Sequence, residues 1–442
     1  MKWKSSTAVI GGGLAGIAAA AAAIKRGDTV MLFERSGVLG GRLASVFDSR
    51  IQEYLDVGQH LFCDCCSNLI AVHQSLGLNR FFKTYASMPF AAVDGKRWAM
   101  KPVRWLPKPL QFLPAVLRMP FVPFFQRLAA GRLLNTFING KNLSGSLADF
   151  LASHKASPEG VTNVWKPLIL GALCETLEYA AAAAAQNVFR RFFAGGNVIY
   201  LPLVPLRLIY NDAASDALRN KGVSLRVHCR VKRLHWRGTG GQQRITSLEL
   251  ADGRTETFDR YILAVPFSRL GNILRASDLE EYDKTLGLDR FELGTITTAH
   301  LYFDRPLLPD ALPLSVLTGG CGQFLCRPKL VPNTFGYYHT AVISASHRLL
   351  TEAEISVTGK ELLVGRIVEQ LRRTFGIPDL TVRYSRISTN FEAVFSPAPA
   401  VFSSRPPSST PFSNLTLAGD WTQTDYPSTM EGAVQSGIRA AG

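Results

Sequence analysis

Apolar positions near the start of the chain follow a strand–helix–strand pattern. Residues 7–10 form a short apolar run, residues 15–24 are nearly all alanine, and residues 29–33 form a second apolar run. Alanine is the strongest helix former, and a glycine such as Gly27 is typical of a helix end. The pattern therefore predicts a helix between two parallel strands.

Later apolar runs predict two further groups of elements. Strand-like runs that are expected to join the first sheet lie at 224–231, 258–265 and 415–418. A second layer is predicted from strand-like runs at 296–303 and 335–344 and from a helical pattern at 359–374. The last residues are also helix-like.

Composition sets limits on the class of protein. The chain has 442 residues, of which 47% are hydrophobic, so it can bury large cores. No run reaches the roughly 18 uncharged apolar residues of a membrane-spanning helix, because the longest, 168–185, contains Glu175 and Glu178. We interpret these two glutamates as charges on a helix face. A soluble or peripheral protein is expected.

The seven cysteines favour reduced thiols in the cytoplasm, because an odd number in a long chain does not suit a disulfide framework. The spacing of Cys63, Cys65 and Cys66 resembles half of a zinc site. No second pair of cysteines has the spacing that would complete such a site. We therefore interpret them as small buried residues and predict no metal site.

Positive charge is concentrated in one stretch. The net charge is +15, and residues 96–141 contain no acidic side chain, while basic and aromatic residues alternate there and prolines recur. The stretch predicts short helical pieces with apolar faces and cationic rims between Arg97 and Ile138. Such a surface suits anionic lipid headgroups, so we expect a peripheral protein on the inner face of the cell membrane. The alternative is a buried cap with snorkelling basic side chains. Nucleic acid fits less well, because no recognition motif accompanies the charge.

A glycine motif between the first strand and helix indicates a dinucleotide site. Gly11 and Gly13 permit a tight turn and close approach of a pyrophosphate, and Gly16 lets the helix pack on the strand. Glu34 follows the second strand, where an acidic side chain accepts hydrogen bonds from a ribose. Lys2 and Lys4 before the alanines would also fit a signal peptide. A leader, however, has no reason to carry the glycines and the acid in register.

Two further blocks lie far from this motif. The first is Leu39-Gly40-Gly41-Arg42, and the second runs from Leu417-Ala418-Gly419-Asp420-Trp421-Thr422 to Met430-Glu431-Gly432-Ala433. Each block alone is weak evidence for a cofactor site. Together with the glycine motif and Glu34 they resemble the flavin-dependent amine oxidase and phytoene desaturase superfamily.

Further segments resemble one branch, the squalene-associated FAD enzymes called hydroxysqualene dehydroxylases. These segments are Asp56-Val57-Gly58-Gln59-His60-Leu61, Trp165-Lys166-Pro167-Leu168, Val342-Ile343-Ser344-Ala345-Ser346 and Arg405-Pro406-Pro407. The sequence Cys174-Glu175-Thr176 departs from the Asn-Thr-Pro of the branch.

The resemblance implies an α/β fold, with an FAD-binding Rossmann-like domain of the GR2 type and an interleaved α+β substrate domain. The FAD domain is expected at 1–85, 222–270 and 410–442, and the substrate domain at 86–221 and 271–409. The implied cofactor-binding residues are Gly11, Gly13, Leu14, Ala15, Gly16, Glu34, Arg35, Gly41, Arg42, Gly58, Val231, Gly419, Asp420 and Met430.

The implied reaction is reduction of hydroxysqualene, a long isoprenoid lipid, to squalene. Gln59 and His60 are expected beside the flavin, and His60 is predicted to give a proton to the departing hydroxyl, since histidine is easily poised near neutral pH. Tyr426, Glu175 or a bound water are the alternative acids, and the electron donor stays open.

Three other functions remain as alternatives. A carotene desaturase would use the same fold and membrane face with oxidised flavin. An amine oxidase would normally have an aromatic residue where this chain has Thr429. A non-catalytic flavoprotein scaffold would need no polar group at the flavin face.

Overall fold

The computed structural model describes residues 4–107, 110–141, 143–195, 198–355 and 359–442. Lys2, Lys108 and Pro109 therefore lie outside the described residues. In chain order the strands are β1 (Ser6–Ile10), β2 (Thr29–Phe33), β3 (Ser45–Asp48), β4 (Glu53–Asp56), β5 (Phe62–Cys63), β6 (Phe82–Tyr85), β7 (Met88–Ala92), β8 (Arg97–Met100), β9 (Ile199–Pro202), β10 (Ser224–Arg226), β11 (Val231–Arg237), β12 (Arg244–Leu250), β13 (Thr255–Glu256), β14 (Arg260–Leu263), β15 (Leu293–Phe303), β16 (Leu314–Thr318), β17 (Phe324–Cys326), β18 (Tyr337–Ile343), β19 (Val382–Phe395) and β20 (Leu415–Leu417).

The α-helices lie between these strands and at the end of the chain. In chain order they are α1 (Leu14–Arg26), α2 (Ser67–Ser75), α3 (Leu113–Leu117), α4 (Phe124–Asn139), α5 (Leu147–Ser153), α6 (Pro158–Gly160), α7 (Lys166–Leu173), α8 (Ala182–Gly195), α9 (Ala214–Asn220), α10 (Phe267–Ala276), α11 (Glu280–Thr285), α12 (Ser346–Leu349), α13 (Glu352–Ile355), α14 (Lys360–Phe375), α15 (Pro399–Ser403) and α16 (Met430–Ala441).

A five-stranded parallel sheet carries the glycine motif. Its order is β10-β2-β1-β14-β20, and every neighbouring pair is parallel. The chain leaves this sheet after β2 and returns at β10, leaves it again for β11–β13 and returns at β14, and leaves it a third time before it returns at β20. The strand–helix–strand prediction and the α/β fold class are confirmed, and Gly27 ends α1 with a left-handed φ of 103°. The predicted domain boundaries remain a prediction.

The predicted strand at 224–231 is wrong in one respect. β10 ends at Arg226, and Val231 instead begins β11, which pairs with β12 in a separate three-stranded sheet. Between them His228 has a φ of 51°, a left-handed value that turns the chain from one sheet to the other. Apolar periodicity alone could not show this single-residue turn.

A seven-stranded sheet forms the second layer, in the order β19-β15-β18-β17-β16-β7-β8. Its strands include the predicted runs at 296–303 and 335–344. One face, with Ala299, Leu301 and Ala341, packs against Leu363 and Ile367 of α14. The other face, with Tyr302 and Tyr338, is covered by Ile51 and Leu55 of the β3–β4 hairpin. The residues just after this hairpin are 57–61, which include Gln59 and His60.

The helical insertion around α3–α8 is built on an aromatic core. Phe137 of α4 contacts Phe150, Trp165 and Phe189 from three other segments. The predicted break in the helical pattern is confirmed, because α3 ends at Leu117 and α4 begins after Pro123, but α4, with 16 residues, is longer than the short pieces predicted. Among the described residues, no helix combines the length and apolar character needed to cross a bilayer.

Candidate flavin and substrate site

The turn between β1 and α1 depends on two glycines. Gly11 has a φ of 110°, and a Cβ atom there would lie 2.4 Å from the Ala264 carbonyl oxygen. A Cβ atom at Gly16 would lie 1.8 Å from the Gly11 carbonyl oxygen. These contacts hold the N-terminus of α1 close to β1 and β14, as the motif predicts.

Gly13 differs from its two neighbours in the motif, because open space surrounds it. No atom lies within 4 Å of the position that its Cβ would occupy. Gly13 is the N-cap of α1, and Leu14 and Ala15 are the first helical residues. Free amide groups and open space at a helix N-terminus suit a phosphate group, so this cradle fits the pyrophosphate of a dinucleotide.

Glu34 lies at the end of β2 beside the glycine turn. Its Oε2 accepts a hydrogen bond of 2.7 Å from the Gly12 amide, and its Oε1 accepts bonds of 2.8 Å from the amide and hydroxyl of Ser36. A carboxylate has about four acceptor positions, so capacity remains for a ribose hydroxyl. The neighbouring Arg35 is exposed, and no ion pair involves it within the described ranges.

The segment expected to contact adenine runs beside Glu34. The Cys229 amide donates to the Glu34 carbonyl and the His228 amide to the Ser36 carbonyl, both at 2.8 Å. Val231, two residues further on, is buried at the start of β11. Val231 thus lies two residues after a residue that is hydrogen-bonded to the Glu34 backbone, although it begins β11 and does not continue β10.

The Gly40-Gly41-Arg42 block packs directly on the glycine turn. The Gly40 amide donates to the Gly12 carbonyl over 2.9 Å, and a Cβ atom at Gly41 would lie 3.1 Å from Gly13 Cα. Arg42 extends from this block towards the C-terminal block and donates to the Ala393 carbonyl over 3.1 Å. The Gly40-Gly41-Arg42 block therefore contacts the glycine turn directly, and its arginine reaches the C-terminal block.

An ion pair joins Arg42 to the C-terminal block. Its Nη2 lies 2.5 Å from Oδ1 of Asp420, whose side chain is buried. Burial alone would raise the pKa of Asp420, but the charge and hydrogen bond of Arg42, with a bond from Ser428, hold that pKa below its ordinary value. Asp420 is therefore an anion, and the pair fixes Gly41 and Gly419 around the cradle.

Arg405 organises the loop that carries Asp420. Its buried guanidinium donates to the carbonyl oxygens of Tyr426 at 2.6 Å, Asp420 at 3.2 Å and Thr424. The Arg-Pro-Pro motif therefore has a structural role: one side chain satisfies the carbonyls of a tight loop. Burial lowers the pKa of Arg405 to about 10, which still leaves it charged near neutral pH.

Helix α16 begins at Met430 and packs closely on α1. Thr429 is its N-cap, and the Thr429 hydroxyl accepts the Gly432 amide at 3.1 Å. A Cβ atom at Gly437 would lie 2.1 Å from the Ala15 carbonyl oxygen, so this glycine is needed for the contact. The sequence motif did not include Gly437. Met430 and the helix N-terminus face the same end of the parallel sheet as α1.

The Glu431 side chain has a structural role. Its carboxylate accepts bonds from the Asn68 side chain at 2.7 Å and the Leu69 amide at 2.8 Å, at the N-terminus of α2. The carboxylate thereby caps α2 and ties it to α16. The backbone at Met430 and Glu431 stays available for a flavin edge.

His60 is held in one orientation. Its Nδ1 lies 2.7 Å from the Gly58 carbonyl oxygen, which can only accept, so Nδ1 carries a proton. Burial lowers the pKa of His60 and the positive charge of Arg42 adds to this, against the Gly58 bond. Near neutral pH the ring is thus neutral and its Nε2 is an acceptor. His60 can donate from Nε2 only after it gains a second proton.

Gln59 faces the seven-stranded sheet. Its Oε1 accepts a bond of 3.1 Å from the Thr340 hydroxyl on β18. Its Nε2 is buried and has no hydrogen-bond partner among the described residues. A buried amide donor without a hydrogen-bond partner lowers the stability of the folded state. The atom therefore marks a place where another polar group binds.

Asp56 precedes this segment and was not identified from the sequence. Its Oδ1 accepts the Ser45 hydroxyl at 2.6 Å and the Leu206 amide at 2.9 Å, which ties the β3–β4 hairpin to the loop after β9. Burial raises its pKa to about 6, against those two hydrogen bonds. The only sequence signal was its place in the Asp-Val-Gly-Gln-His segment.

The interpretation of Glu175 as a helix-face charge is wrong. Helix α7 ends at Leu173 because Cys174 has a left-handed φ of 53°. Glu175 is fully buried, where it accepts the Ser396 hydroxyl at 2.6 Å and lies 3.5 Å from Arg348. An apolar run of helical appearance hid this buried carboxylate. Glu178, by contrast, is exposed.

The cysteines form no metal centre in the part of the chain that is described. No group of three or more histidine, cysteine or acidic side chains is arranged to hold a metal ion there. Cys63, Cys65 and Cys66 are partly rather than fully buried, so their interpretation as buried residues is only partly correct.

The fold and the site together define a dinucleotide-binding oxidoreductase with three sequence blocks around one cradle. The family described as flavin containing amine oxidoreductase matches residues 14–442, and the chain belongs to it. The enzyme is therefore an FAD-dependent oxidoreductase, and FAD supplies redox chemistry when bound.

Two curated relatives cover almost the whole chain. The hydroxysqualene dehydroxylase of Zymomonas mobilis is 27% identical over 99% of this chain and 98% of its own length. A probable zeta-carotene desaturase of Synechococcus elongatus is 25% identical over 98% of this chain and 97% of its own length. Among solved structures, an oxidoreductase from Methanosarcina mazei superimposes with a TM-score of 0.73 at 15% identity, covering 98% of this chain and 99% of the other.

Proposed function

We propose that the protein reduces hydroxysqualene to squalene at a membrane surface. The observation that carries the proposal is the combination of an FAD cradle with a full-length likeness to a hydroxysqualene dehydroxylase. In this reaction the allylic C–O bond breaks, a proton joins the departing oxygen, and a hydride, which reduced FAD would supply when bound, joins the carbon. The products are squalene and water.

An aromatic–basic surface supports a lipid substrate. Trp105 is 83% exposed, Phe124 60% and Phe125 88%, and Arg104 and Arg118 are exposed beside them. No ion pair within the described ranges involves either arginine. Exposed aromatics with unpaired cations suit the interface of an anionic bilayer, and the free thiols fit its cytoplasmic face.

A buried apolar core extends from the helical insertion to the seven-stranded sheet. The same cluster contains Phe121 and Phe137 from the helical insertion and Phe90, Val316 and Cys326 from the seven-stranded sheet. Val316 and Cys326 lie on the face of that sheet that also carries Thr340. A polyisoprenoid chain that enters between these side chains would reach Gln59 and His60 through apolar surroundings.

In this proposal the protein's own side chains orient the alcohol and exclude water. His60 Nε2 accepts a hydrogen bond at neutral pH, and the ring becomes the proton donor once protonated. The lowered pKa makes the protonated ring a stronger acid. If His60 is the donor, the single-turnover rate should rise as pH falls towards that pKa, and His60→Ala should remove the rise.

One observation weighs against an amine oxidase. Thr429, at the position of the expected aromatic cage wall, is committed to capping α16. Gln59 and His60 also argue against a scaffold without chemistry. Carotene desaturation remains the second candidate, because a relative of that name covers the same length at similar identity.

The experiment uses both redox states of the purified enzyme without oxygen. Photoreduced enzyme should convert hydroxysqualene to squalene and become reoxidised, while oxidised enzyme should leave phytoene unchanged. Desaturation of phytoene by oxidised enzyme, without squalene formation by reduced enzyme, would favour the second candidate instead.

A further inference from the structure

One face of the seven-stranded sheet changes from apolar to polar near Gln59. On β18 and β17, Val342 and Phe324 pair with each other, and Phe324 borders the apolar core. The same face carries Thr340 further along β18 and Thr298 and His300 on the neighbouring strand β15, because residues directly paired across strands share a face. This boundary lies beneath the segment that contains Gln59.

Two buried polar atoms at this boundary have no partner among the described residues. They are Nε2 of Gln59 and Oγ1 of Thr298, and Thr298 is fully buried. The neighbouring polar groups are satisfied: Thr340 binds Gln59, and His300 binds Tyr338 at 2.8 Å and Ser388 at 3.1 Å. Among the polar groups around Gln59 on β15 and β18, only these two therefore lack a partner; on the same face, Thr318 of β16 also has a buried hydroxyl without one, but β17 separates its strand from β18.

The sheet register places these two groups close together. Thr298 pairs with Val342, and Thr340 pairs with His300, so Thr298 and Thr340 are diagonal neighbours on adjacent strands. Diagonal residues in such a pair have Cβ atoms about 7 Å apart or less. Gln59 is hydrogen-bonded to Thr340 through its Oε1, so its amide group and the Thr298 hydroxyl belong to one polar patch on this face of the sheet.

We propose that Gln59 Nε2 and Thr298 Oγ1 bind the hydroxyl group of an isoprenoid alcohol. The amide N–H donates to the alcohol oxygen, and the threonine oxygen accepts the alcohol proton. The proposal rests on the proposed function, and it names the contact that separates an alcohol from a hydrocarbon. A site whose buried polar groups stay unpaired with the wrong substrate rejects that substrate strongly.

The position of the pair also fits the chemistry. Gln59 adjoins His60, whose Nε2 is the acceptor that becomes a donor on protonation. The alcohol oxygen has two lone pairs, so it can accept the Gln59 N–H with one and take a proton from His60 with the other. The apolar side of the boundary is left for the hydrocarbon chain.

The test measures binding rather than turnover. Oxidised holoenzyme is titrated with hydroxysqualene and with squalene, which differ in the hydroxyl group, and the shift of the flavin absorbance reports each Kd. Parent enzyme should bind the alcohol about tenfold more tightly or better. Gln59→Leu and Thr298→Val should each remove most of this preference and leave squalene binding and flavin content unchanged.

Two controls separate this role from a general effect on packing. Thr298→Ser keeps the hydroxyl and should keep the preference. Thr374→Val removes an equally buried, unpaired hydroxyl from α14, on the opposite side of the sheet, and should change neither Kd.

Three results would overturn the proposal. These are equal affinity of the parent for both lipids, equal weakening of both lipids by the Gln59 and Thr298 variants, or loss of flavin in Gln59→Leu, which would assign the amide to the cofactor. Because no turnover is needed, an enzyme that prefers the alcohol yet makes no squalene would contradict the proposed function and leave this site standing.

Discussion

Charged side chains are arranged differently around the FAD cradle and across the helical insertion. At the cradle, Asp420 is paired with Arg42, and Glu431 is bound by the N-terminus of α2. In the insertion, Arg104 and Arg118 are exposed without an ion pair in the described ranges. Buried charge must be compensated within the protein, whereas exposed cations can be compensated by a partner. The difference indicates that the charges of the cofactor site are compensated within the protein, whereas the exposed cations of the insertion can bind an anionic partner.

The largest expected effect separates two glycines of one motif. Gly13→Val should abolish FAD binding while the protein stays folded, because the new side chain enters open space that the pyrophosphate needs. Gly16→Val should instead prevent folding, since its Cβ would clash with the Gly11 carbonyl oxygen. Flavin absorbance and circular dichroism of the purified proteins distinguish the two outcomes. Full flavin content in Gly13→Val would contradict the prediction that the FAD pyrophosphate binds beside Gly13.

A second effect concerns the ion pair that closes the cradle. Asp420→Ala leaves Arg42 without its partner and should lower the free energy of unfolding by about 2–4 kcal/mol, somewhat less than for a fully buried pair because Arg42 is 38% exposed. Urea unfolding measures this loss. The control change Asp425→Ala removes an exposed carboxylate that pairs with Arg439 at 3.3 Å and Arg191 at 3.8 Å, and it should cost less than about 1 kcal/mol. Equal losses would mean that burial does not distinguish the pairs.

Asp56 makes a third, pH-dependent contribution. Its folded pKa of about 6 lies above the ordinary value of 3.8, so the folded state holds the proton more tightly than the unfolded state. The associated stability is complete below pH 4 and is lost as pH rises through 6, by about 2–3 kcal/mol. Asp56→Asn should flatten this part of the unfolding profile. An unchanged slope between pH 4 and 6 would show that Asp56 is not the group responsible.

The smallest effect per residue concerns the insertion alone. Charge reversal at Arg104, Lys108 and Arg118 should weaken binding to anionic vesicles by about 1 kcal/mol per residue and leave flavin content unchanged. Added salt should weaken binding by the parent. Lys108 lies outside the described residues, so the pair Arg104 and Arg118 is the structural core of this test. Equal sedimentation of the parent with neutral and anionic vesicles would contradict an electrostatic contribution to membrane binding.

From the sequence, individual residues of the cofactor site could be predicted, but only the general character of the helical insertion. Gly11, Gly16 and Glu34 could be placed because a turn, a close approach and a ribose contact each demand a particular residue type at a fixed spacing. Composition alone predicted the insertion, so it indicated exposed aromatics and cations without showing which were exposed. Arg127, for example, belongs to the basic stretch but donates to the Leu117 and Val122 carbonyls.

The missed features all depend on contacts between distant segments. Gly437 permits the approach of α16 to α1, and Arg405 satisfies carbonyls up to 21 residues away. Glu175 looked like part of a helix because its local sequence is apolar, whereas its partners Arg348 and Ser396 lie on other elements. No local periodicity reports such pairs, and the left-handed Cys174 and His228 likewise reflect tertiary context.

The most direct test of the account requires both regions at once. Photoreduced enzyme is mixed without oxygen with anionic vesicles that contain hydroxysqualene, and flavin reoxidation and squalene are measured together. The parent should form one squalene for each flavin reoxidised, and a Trp105→Ser, Phe125→Ser variant should be slow with vesicles but normal with detergent-dispersed substrate. Flavin that stays reduced with vesicle-borne hydroxysqualene, or a surface variant as fast as the parent on vesicles, would contradict the account.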